Sequence, residues 1–526
     1  MRSEWIAPLF GPRITHAFEE IKDLFDPQGL MNPGKIVRPS KMDDRTLFRY
    51  KPGYATQRVD TVLDWSAHAV GAVRPGDGFA KAVEMCNNNG HCRKFDAGTM
   101  CPSFRATGEE QHLTRGRANT LRLALSGQLA TKGGGDAFTS QEMFDTLDLC
   151  VSCKGCRREC PTGVDMAKMK IEFLHHYRKQ LGLPFRDRLI AYLPRYAPWA
   201  ARLAWLANLR DTVPGFALLS EKLLGFSRKR TLPRWRSSTF ESGDHSLPFK
   251  GRAREGMGTH PHPGLPPEVE GEGSAARGMD REVVLLVDTF NNYFEPENAR
   301  AALAVLRAAG YLVRLPRAID GGRPLCCGRT FLAAGLVDEA KIEAARMIAA
   351  LKPFVARGVP VIGLEPSCLL GLRDEFMSML PGADSAALAL NAMLFEEFLA
   401  READAGRLKL ALKALPRKKA LLHGHCHQKA FDAMPAVQRA LKLVPQLEVE
   451  VIESSCCGMA GSFGYEAGHY AVSMKMAEAS LLPKVRAADV ETLIVANGTS
   501  CRHQIHDGAR RDALHVARVL HSALAT

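Results

Sequence analysis

The sequence predicts a multidomain protein that joins a helical region to an α/β region, and three observations lead to this fold class. The chain has 526 residues, enough for several domains of roughly 150 residues each. Seven of its 14 cysteines are concentrated between residues 46 and 185, ahead of a helical stretch at 187–209. Beyond residue 280, buried-strand runs such as EVVLLVDTF alternate with amphipathic helices, a pattern typical of parallel βαβ units.

Composition narrows the class of protein. Hydrophobic residues make up 46% and charged residues 24%, which is ordinary for a globular protein in water. The net charge is +13, but no basic run with interleaved aromatics indicates a nucleic-acid groove. No stretch has the ~18 apolar residues of a membrane span, and the first residues lack the pattern of a signal peptide. We therefore expect a cytoplasmic protein, whose reduced thiols serve metal or redox chemistry rather than disulfides.

Changes in composition divide the chain into six segments. Residues 1–45 hold a helix-like stretch followed by turn formers and are too short for a domain, whereas 46–185 form the cysteine-rich domain. Residues 186–225 form a Trp-bearing helical arm broken by prolines, which we expect to pack against the protein, with a membrane face or a partner as alternatives. A polar, Gly- and Pro-rich stretch at 226–280 is typical of a flexible linker. It leads to two α/β lobes, 281–400 and 401–526.

The two lobes form an internal repeat. LLVDTF, CCGRTFLAAG and VIGLEPSCL follow one another in the first lobe, and LLHGHCHQ, CCGMAGSFG and LIVANGTSC in the second. Each lobe therefore has a strand end, a Cys-Cys-Gly turn that runs into a helix, and a later strand that ends at a single cysteine. A gene duplication explains this order simply.

One cysteine motif stands out at residues 150–161, which read CVSCKGCRRECP. Its cysteines are Cys150, Cys153, Cys156 and Cys160. The spacing C-x2-C-x2-C-x3-C-P is that of bacterial ferredoxins, and thiolates are soft ligands that suit iron–sulfur centres. Structural zinc sites more often pair two C-x2-4-C knuckles across a longer arm. The motif predicts a [4Fe–4S] cluster, with zinc and unliganded thiols as the alternatives.

A second, imperfect motif precedes it and consists of Cys86, Cys92 and Cys101, the last followed by Pro102. Asn89 stands where the middle cysteine of the template would be. In two-cluster ferredoxins the fourth cysteine of each run binds the other cluster. We therefore expect Cys101 to complete the site of Cys150, Cys153 and Cys156, and Cys160 to join Cys86 and Cys92.

This assignment leaves the second site with three cysteines. A three-iron centre, a fourth ligand from His91, Asn89 or water, and a single cluster in the whole domain all fit the pattern. Cys86 and Cys92 could equally be buried structural thiols.

The lobes carry the third constellation. Its thiols are Cys326, Cys327 and Cys368 in the first lobe, and Cys426, Cys456, Cys457 and Cys501 in the second. Parallel strands deliver their carboxyl ends to one edge of a sheet, so the second-lobe thiols are expected to converge. His423, His425 and His427 would share one face if the strand continued, with Cys426 on the other. We count His425 and these thiols as a candidate second redox site, for which metal, haem, catalytic and structural roles are open.

These motifs resemble a known family. CNNNGHCRKFDAGTMCPSFRATGEEQHLTRGRANTLRLALSG, CVSCKGCRRECPTGVDMAKMKIEFLHHY and the two Cys-Cys-Gly lobes resemble the iron–sulfur half of bacterial fused FAD-linked oxidase/iron–sulfur proteins of the D-2-hydroxyglutarate dehydrogenase type. Glycolate oxidase iron–sulfur subunits and the Cys-Cys-Gly subunits of heterodisulfide reductase are more distantly similar. WIAPLFGPRITHAFEEIKDLFDPQGLMNPGKIV resembles the end of an FAD-linked oxidase C-terminal domain, so residues 1–45 are identified as a remnant of that domain.

The resemblance implies both a fold and a function. The fold is a helical two-cluster ferredoxin-like domain followed by a duplicated α/β Cys-Cys-Gly domain. The function is an iron–sulfur electron-transfer module that carries electrons from reduced FAD to a quinone, a cytochrome or a soluble carrier. The FAD-linked enzyme would oxidise a 2-hydroxy acid of the D-2-hydroxyglutarate, D-lactate or glycolate type.

Two departures from the family pattern have consequences. No FAD-binding domain precedes Met1 in this sequence, so we expect FAD to come from a partner protein or a missing domain, and the chain alone to be an incomplete oxidoreductase. The family pattern ends each lobe with C-x2-C, whereas Glu365 and Gly498 stand in the first places, before Cys368 and Cys501. Whether the lobes bind a non-cubane cluster is therefore left open.

Two hypotheses from other classes compete with this one. A heterodisulfide-reductase-like thiol/disulfide redox protein would need reactive, accessible sulfurs at the second-lobe cysteines. An inactive, truncated product could instead serve as a binding scaffold. For the location, the alternative to a purely cytoplasmic protein is a peripheral contact with the inner face of the membrane.

Overall fold

The computed structural model describes residues 3–44, 46, 49–50, 53–71, 77–95, 98–131, 134–242 and 281–525. The chain falls into two compact units, Met1–Gln57 and Arg58–Thr526. Most of the predicted linker, 243–280, lies outside the described residues. Among the helices that the structure describes, none has the length and apolar character needed to cross a bilayer.

The first unit is built on the helix Ile6–Phe25, which follows a short 3-10 turn at Ser3–Trp5. Asp26 terminates this helix, because its carboxylate accepts hydrogen bonds from the backbone N–H groups of Leu30 and Met31, each at 2.8 Å. The turn formers that follow the helix in the sequence therefore have a structural counterpart.

The cysteine-rich region of the second unit is helical. Its α-helices are Phe79–Glu84, Pro102–Thr107, Thr114–Leu125, Gln141–Asp148, Gly155–Glu159 and Met166–Leu181. Short 3-10 turns lie at Ser66–His68, Glu110–His112 and Ala137–Thr139. Edge-to-face contacts join Phe79, Phe138 and Phe173 at centroid distances of 5.8 and 5.9 Å, which forms a core beneath the cysteine loops.

Glu172 ties this region together from a fully buried position. Its carboxylate accepts hydrogen bonds from the N–H groups of Val62 (2.8 Å) and Leu63 (3.0 Å) and from Nε1 of Trp65 (2.9 Å). His176 Nε2 lies 3.0 Å from the same carboxylate. The segment that enters the domain is thus fixed to the helix Met166–Leu181.

The arm consists of five short helices, Phe185–Ala191, Leu193–Arg202, Ala204–Ala207, Leu209–Thr212 and Phe216–Leu224. The following residues, 226–242, fall in the stretch that the sequence analysis assigns to a flexible linker, yet they pack against the lobes. The buried Arg230 donates hydrogen bonds to Gly464 O (3.1 Å), Ser473 Oγ (3.0 Å) and Gln504 Oε1 (2.8 Å), and Phe240 joins the core of the lobes. A buried guanidinium that donates to three acceptors holds this stretch in place, a contact that composition does not reveal.

Each lobe contains one four-stranded parallel sheet. In the first lobe the strands are β1 (Glu282–Leu286), β2 (Leu312–Arg314), β3 (Val361–Gly363) and β4 (Ala392–Leu394), in the order β2-β1-β3-β4. In the second they are β5 (Lys419–His423), β6 (Glu448–Val451), β7 (Leu493–Ala496) and β8 (Ala513–Leu514), in the order β6-β5-β7-β8. The identical order, with all neighbours parallel, is the structural counterpart of the internal repeat.

Helices cover both sheets. Those of the first lobe are Thr289–Tyr293, Pro296–Ala308, Arg329–Ala333, Val337–Val355, Pro366–Leu372, Glu375–Met379, Ala383–Asn391 and Phe395–Asp404. Those of the second are Cys426–Ala430, Met434–Lys442, Tyr470–Glu478, Leu481–Ala487, Thr499–Ala509 and Val516–Ser522, with a 3-10 turn at Phe463–Tyr465. One hydrophobic core runs through both lobes and includes Leu285, Phe398, Leu441 and Leu520. The structure confirms the predicted combination of helical and α/β parts.

Replacing Glu172 tests the anchor of the cysteine-rich domain. Glu172→Gln is expected to lower the free energy of unfolding by about 3 kcal/mol, because a buried charged acceptor with several donors is lost. Burial alone would raise the pKa of Glu172, but hydrogen bonds from His176, Trp65 and the backbone outweigh it and lower the pKa from its ordinary 4.5. The stabilisation is therefore complete above about pH 5 and is lost as the pH falls through the lowered pKa.

Thermal unfolding of wild type and Glu172→Gln at pH 7 and pH 4 measures both effects. Glu478→Gln is the matched control, because Glu478 forms an exposed ion pair with Arg486, and it should change the midpoint little. Equal midpoints for wild type and Glu172→Gln at pH 7 would contradict the assignment.

Candidate metal centres

Four cysteines from two separate segments surround one small cavity of about 20 Å³. Cys150, Cys153 and Cys156 come from the loop before and the first turn of the helix Gly155–Glu159, and Cys101 immediately precedes the helix Pro102–Thr107. Four soft sulfur donors round one cavity are the donor set of a [4Fe–4S] cluster, so the residues present fit that group. The structure thus brings together the four residues that the sequence groups into one site, and their role as ligands stays a prediction.

The backbone of this site has an unusual conformation. Ser152, Lys154 and Cys101 have φ of 49°, 59° and 53°, in the left-handed region where each non-glycine residue costs about 1–2 kcal/mol. A Cβ on Gly155 would lie 3.0 Å from the backbone of Thr99 and Met100, which is tighter than most side-chain contacts, so glycine favours this close approach. Strain concentrated in one loop is typical of a binding site, and here it aims the sulfurs at a common point.

The contacts of Cys101 favour its thiolate form. The thiol of Cys92 donates a hydrogen bond to its sulfur, Thr114 N–H donates another at 3.1 Å, and the buried Arg117 guanidinium lies nearby. These contacts outweigh burial and lower the pKa of Cys101 to about 6. A sulfur that is ionised at neutral pH is ready to bind a metal ion.

Cys153 and Cys156 behave in the opposite way. Burial, reinforced by neighbouring cysteines for Cys153 and by Asp165 for Cys156, raises the pKa of both thiols far above the ordinary range. Cations in the cavity would favour loss of these protons, so binding of a metal group releases protons and stabilises the fold at the same time.

Lys154 places a positive charge inside the motif. Burial favours the neutral amine, but the carboxylates of Glu375, Asp165 and Asp374 outweigh burial and raise the pKa of Lys154. Nζ lies 3.2 Å from Glu375 and also pairs with Asp374. Since both acids belong to the first lobe, this ion pair fixes the cysteine loop to that lobe.

The second motif is less complete. Cys86 and Cys92 are buried, and Cys92 is the thiol that hydrogen-bonds to Cys101. Asn89 is exposed, and its side chain forms hydrogen bonds within its own loop. Its Oδ1 accepts from His91 N at 2.8 Å, and its Nδ2 donates to Asn87. These hydrogen bonds do not bring Asn89 or the exposed His91 to the thiols of the second motif. For Cys160 the structure gives a contact of 3.3 Å between Sγ and Thr162 Oγ1, and its part in a second cluster stays a prediction.

Two features of the lobes differ from expectation. Strand β5 ends at His423 and a helix begins at Cys426, so the three histidines do not alternate along one continued strand. His425 is the N-cap of that helix, and its Nδ1 lies 3.1 Å from the backbone nitrogen of His427. Cys368 and Cys501 lie in the helices that follow β3 and β7 rather than at the strand ends, because Pro366 and Thr499 already start those helices.

The thiols of the second lobe converge on one buried site with two histidines. Cys426, Cys456, Cys457 and Cys501 interact with one another, and the two histidines are His423 and His425. Hydrogen bonds from Cys456, Cys501 and His423 lower the pKa of Cys457, and those from Cys456 and His425 lower the pKa of Cys426. The Cys426 charge in turn outweighs burial and raises the pKa of His425 to about 9. In this site, the thiolates of Cys426 and Cys457 therefore lie beside groups that carry positive charge or donate hydrogen bonds.

The equivalent place in the first lobe is acidic. Cys326, Cys327 and Cys368 lie together, but Asp288 is the N-cap where the second lobe has His425, and Glu365 is the N-cap where it has Gly498. Burial and the charge of Glu365 raise the pKa of Asp288 to about 6. Burial, together with the charges of Asp288 and Glu365, raises the pKa of Cys368 to about 11 despite a hydrogen bond from Cys327, so this thiol is poorly prepared to bind a metal ion.

The second lobe also covers the ferredoxin-type site. Cys153 packs in one buried cluster with Cys426, and His427 Nε2 donates to Ser152 O at 3.1 Å. Ser455 Oγ donates to Thr99 O at 2.7 Å. Sequence reasoning missed the supporting residues Thr114, Arg117 and Lys154; only Lys154, as a charged residue inside the cysteine motif, gave any signal.

Comparison with known protein families supports the resemblance. Residues 82–164 match the 4Fe-4S dicluster domain, residues 420–506 match the cysteine-rich domain, and residues 1–36 match the C-terminal domain of FAD linked oxidases. The cysteine-rich match lies in the second lobe, and the relation of the first lobe to it rests on the shared strand order.

Comparison with individual curated proteins also supports the resemblance. The chain is 27% identical to D-2-hydroxyglutarate dehydrogenase of Pseudomonas putida over 99% of its own length and 50% of the relative's, and 25% identical to that of Escherichia coli over 96% and 48%. It is also 29% identical to one subunit of the anaerobic glycerol-3-phosphate dehydrogenase of Escherichia coli, over 46% of its length and 59% of the relative's.

The chain spans about half the length of the D-2-hydroxyglutarate dehydrogenases that it matches. No solved structure matches it. The chain is thus similar to the iron–sulfur half of fused FAD-linked oxidase/iron–sulfur oxidoreductases, and its cofactors are iron–sulfur clusters.

Proposed function

We propose that this chain is the iron–sulfur electron-transfer module of an FAD-linked 2-hydroxy-acid dehydrogenase. The observation that carries the proposal is the convergence of Cys101, Cys150, Cys153 and Cys156 on one buried cavity. A cluster bound by these thiolates would supply one-electron transfer. The chain's own contribution is to hold the ligands, exclude water and set the local charge.

The surroundings of the cavity fit that task. The second lobe closes over Cys153, which removes water and lowers the local dielectric constant. Arg117 puts a buried positive charge beside Cys101, whereas the charge of Lys154 is offset by Asp374 and Glu375. Positive charge and hydrogen bonds to sulfur favour the reduced, more negative state of a thiolate-bound centre, so Arg117 and the hydrogen bonds to Cys101 are expected to raise its reduction potential.

A flavoprotein is the proposed electron donor. The similarity of residues 1–36 to the C-terminal domain of FAD linked oxidases supports this, as do relatives named D-2-hydroxyglutarate dehydrogenase. The proposed substrate of the flavoprotein is therefore a 2-hydroxy acid such as D-2-hydroxyglutarate, with D-lactate and glycolate as the other members of the class. A quinone, a cytochrome or a soluble carrier is the proposed acceptor.

The thiol/disulfide hypothesis finds less support. A disulfide substrate must reach a thiolate, whereas Cys457 is 3% exposed and Cys426 is 8% exposed. Their lowered pKa values suit metal binding as well as nucleophilic attack, and burial favours metal binding.

The helical arm supports a contact with a membrane surface. Trp199 is 66% exposed and Trp205 is 69% exposed, and Leu203 and Leu206 beside them are half exposed. Arg202 lies on the Trp199 ring at 4.9 Å and is itself exposed. Exposed Trp and Leu with adjacent Arg suit the boundary between lipid headgroups and acyl chains. We propose that residues 199–206 contact anionic lipid, which would bring the chain to a membrane-bound acceptor.

Electron transfer can be tested on the anaerobically purified chain with chemically reduced FAD as the donor. Wild type should contain iron and acid-labile sulfide, show an EPR signal after dithionite, and lose its cluster absorbance on mixing with reduced FAD. Cys156→Ser should lose about four irons per chain together with one EPR signal, because it removes one of the four thiolates proposed to hold the cubane.

Cys368→Ser is the matched control, a buried cysteine of the first lobe whose replacement should leave iron content and the EPR signal unchanged. Fewer than about two irons per chain with no EPR signal in wild type would contradict the proposed function, since a single cubane already holds more.

Membrane contact can be tested separately by sedimentation with phosphatidylglycerol vesicles. The double variant Trp199→Ser/Trp205→Ser should bind about tenfold more weakly, because two aromatic side chains no longer enter the interface. Leu390→Ser removes an exposed apolar side chain of the first lobe and should bind like wild type. Binding that is equal in all three proteins would exclude the arm as the contact.

A further inference from the structure

His423, Cys457 and Cys501 offer three ligand atoms to a single point. A ring nitrogen and the two sulfurs all lie within 4.8 Å of one another. All three side chains are buried, at 1%, 3% and 1% exposure. Among the described residues, no other three His, Cys, Asp or Glu side chains bring their ligand atoms so close together. The cysteines of the ferredoxin-type cavity are farther apart than this.

These distances favour one ion over a cluster. A tetrahedral ion with bonds of about 2.0–2.3 Å keeps its ligand atoms about 3.5–4 Å apart, which lies within the 4.8 Å that separates these three atoms at most. An iron–sulfur cube instead attaches its cysteines to four different irons and holds their sulfurs farther apart. The ferredoxin-type cysteines, which are more widely spaced, fit the second arrangement.

One ring nitrogen of His423 faces the thiols. Its Nδ1 lies 2.9 Å from Ser454 Oγ, whereas the buried Nε2 faces the Cys457 sulfur. A histidine whose Nδ1 is fixed by a hydroxyl while its Nε2 faces thiols is arranged like a metal ligand with its supporting hydrogen bond.

The local fold explains how these residues meet. His423 is the last residue of β5, Cys457 lies in the Cys-Cys-Gly turn, and Cys501 lies in the first turn of the helix after β7. A Cβ on Gly498 would overlap the ring of His425, so the cysteine that the fuller family pattern has there cannot be accommodated. Imidazoles therefore occupy part of the space that thiols fill in that pattern.

We infer that the second lobe binds one tetrahedral divalent ion of the zinc class through Nε2 of His423 and the thiolates of Cys457 and Cys501. Cys426 and Cys456 border the same site and can supply a fourth thiolate. Zinc accepts this mixture of nitrogen and sulfur, is tetrahedral and has no redox chemistry. The ion would stiffen the lobe that closes over Cys153, and electrons would not pass through it.

The first lobe provides an internal comparison. Both lobes have the same strand order, and Leu286 ends β1 where His423 ends β5. Asp288 and Thr289 stand in the places of His425 and Cys426. The first lobe lacks the imidazole and is lined by carboxylates, so the inference assigns the ion to the second lobe alone.

Metal analysis of the full chain tests the inference. Wild type should contain about one zinc per chain in addition to its iron, and X-ray absorption at the zinc edge should show a shell of nitrogen and sulfur ligands. His423→Leu, which installs the first-lobe residue, should lower the zinc content at least about tenfold while iron, sulfide and the EPR signal remain. Cys368→Ser in the first lobe should leave zinc unchanged.

Ser454→Ala serves as a second variant in case His423→Leu does not fold. It removes only the support of Nδ1 and should speed zinc loss to a chelator about 10–100-fold without changing the iron content. Wild type that holds iron instead of zinc at this lobe would overturn the inference. Zinc that survives both His423→Leu and Ser454→Ala unchanged would do the same.

Discussion

Thiolates cannot stay ionised in a buried cavity unless cations share it, and this constraint organises the cysteine-rich half of the molecule. Burial raises the pKa of Cys153 and Cys156, whereas hydrogen bonds lower that of Cys101. Strained residues in the loop, Gly155 and the buried Lys154 all act to keep the sulfurs at one point. The domain is thus built to be completed by a bound group, and its supporting contacts reach into both lobes.

The two lobes have diverged around the same strand order. In the first, the carboxylates of Asp288 and Glu365 lie beside the thiols. Glu375, at the start of the helix Glu375–Met379, forms an ion pair with Lys154. In the second, His425 stands in the place of Asp288 and Gly498 in the place of Glu365, and hydrogen-bond donors lower the pKa of Cys426 and of Cys457. One copy therefore anchors the cysteine loop electrostatically, while the other covers it and presents ligands of its own.

The sequence was sufficient to predict the helical and α/β parts and the grouping of the cysteines, but not the long-range contacts or the exact ends of strands. Regular cysteine spacing and the repeated Cys-Cys-Gly turns were sufficient to group Cys101 with Cys150, Cys153 and Cys156 and to predict paired α/β lobes. Long-range contacts were not predictable, since Arg230 holds a supposedly flexible stretch through acceptors more than 200 residues away. The end of β5 at His423 also escaped prediction, because alternation of histidines does not reveal where a strand stops.

Anomalous diffraction at the iron absorption edge, from crystals grown without oxygen, tests the central claim most directly. The account predicts a strong iron peak inside the cavity between Cys101, Cys150, Cys153 and Cys156, bonded to all four sulfurs. A cavity without iron, or one that holds only zinc, would contradict it.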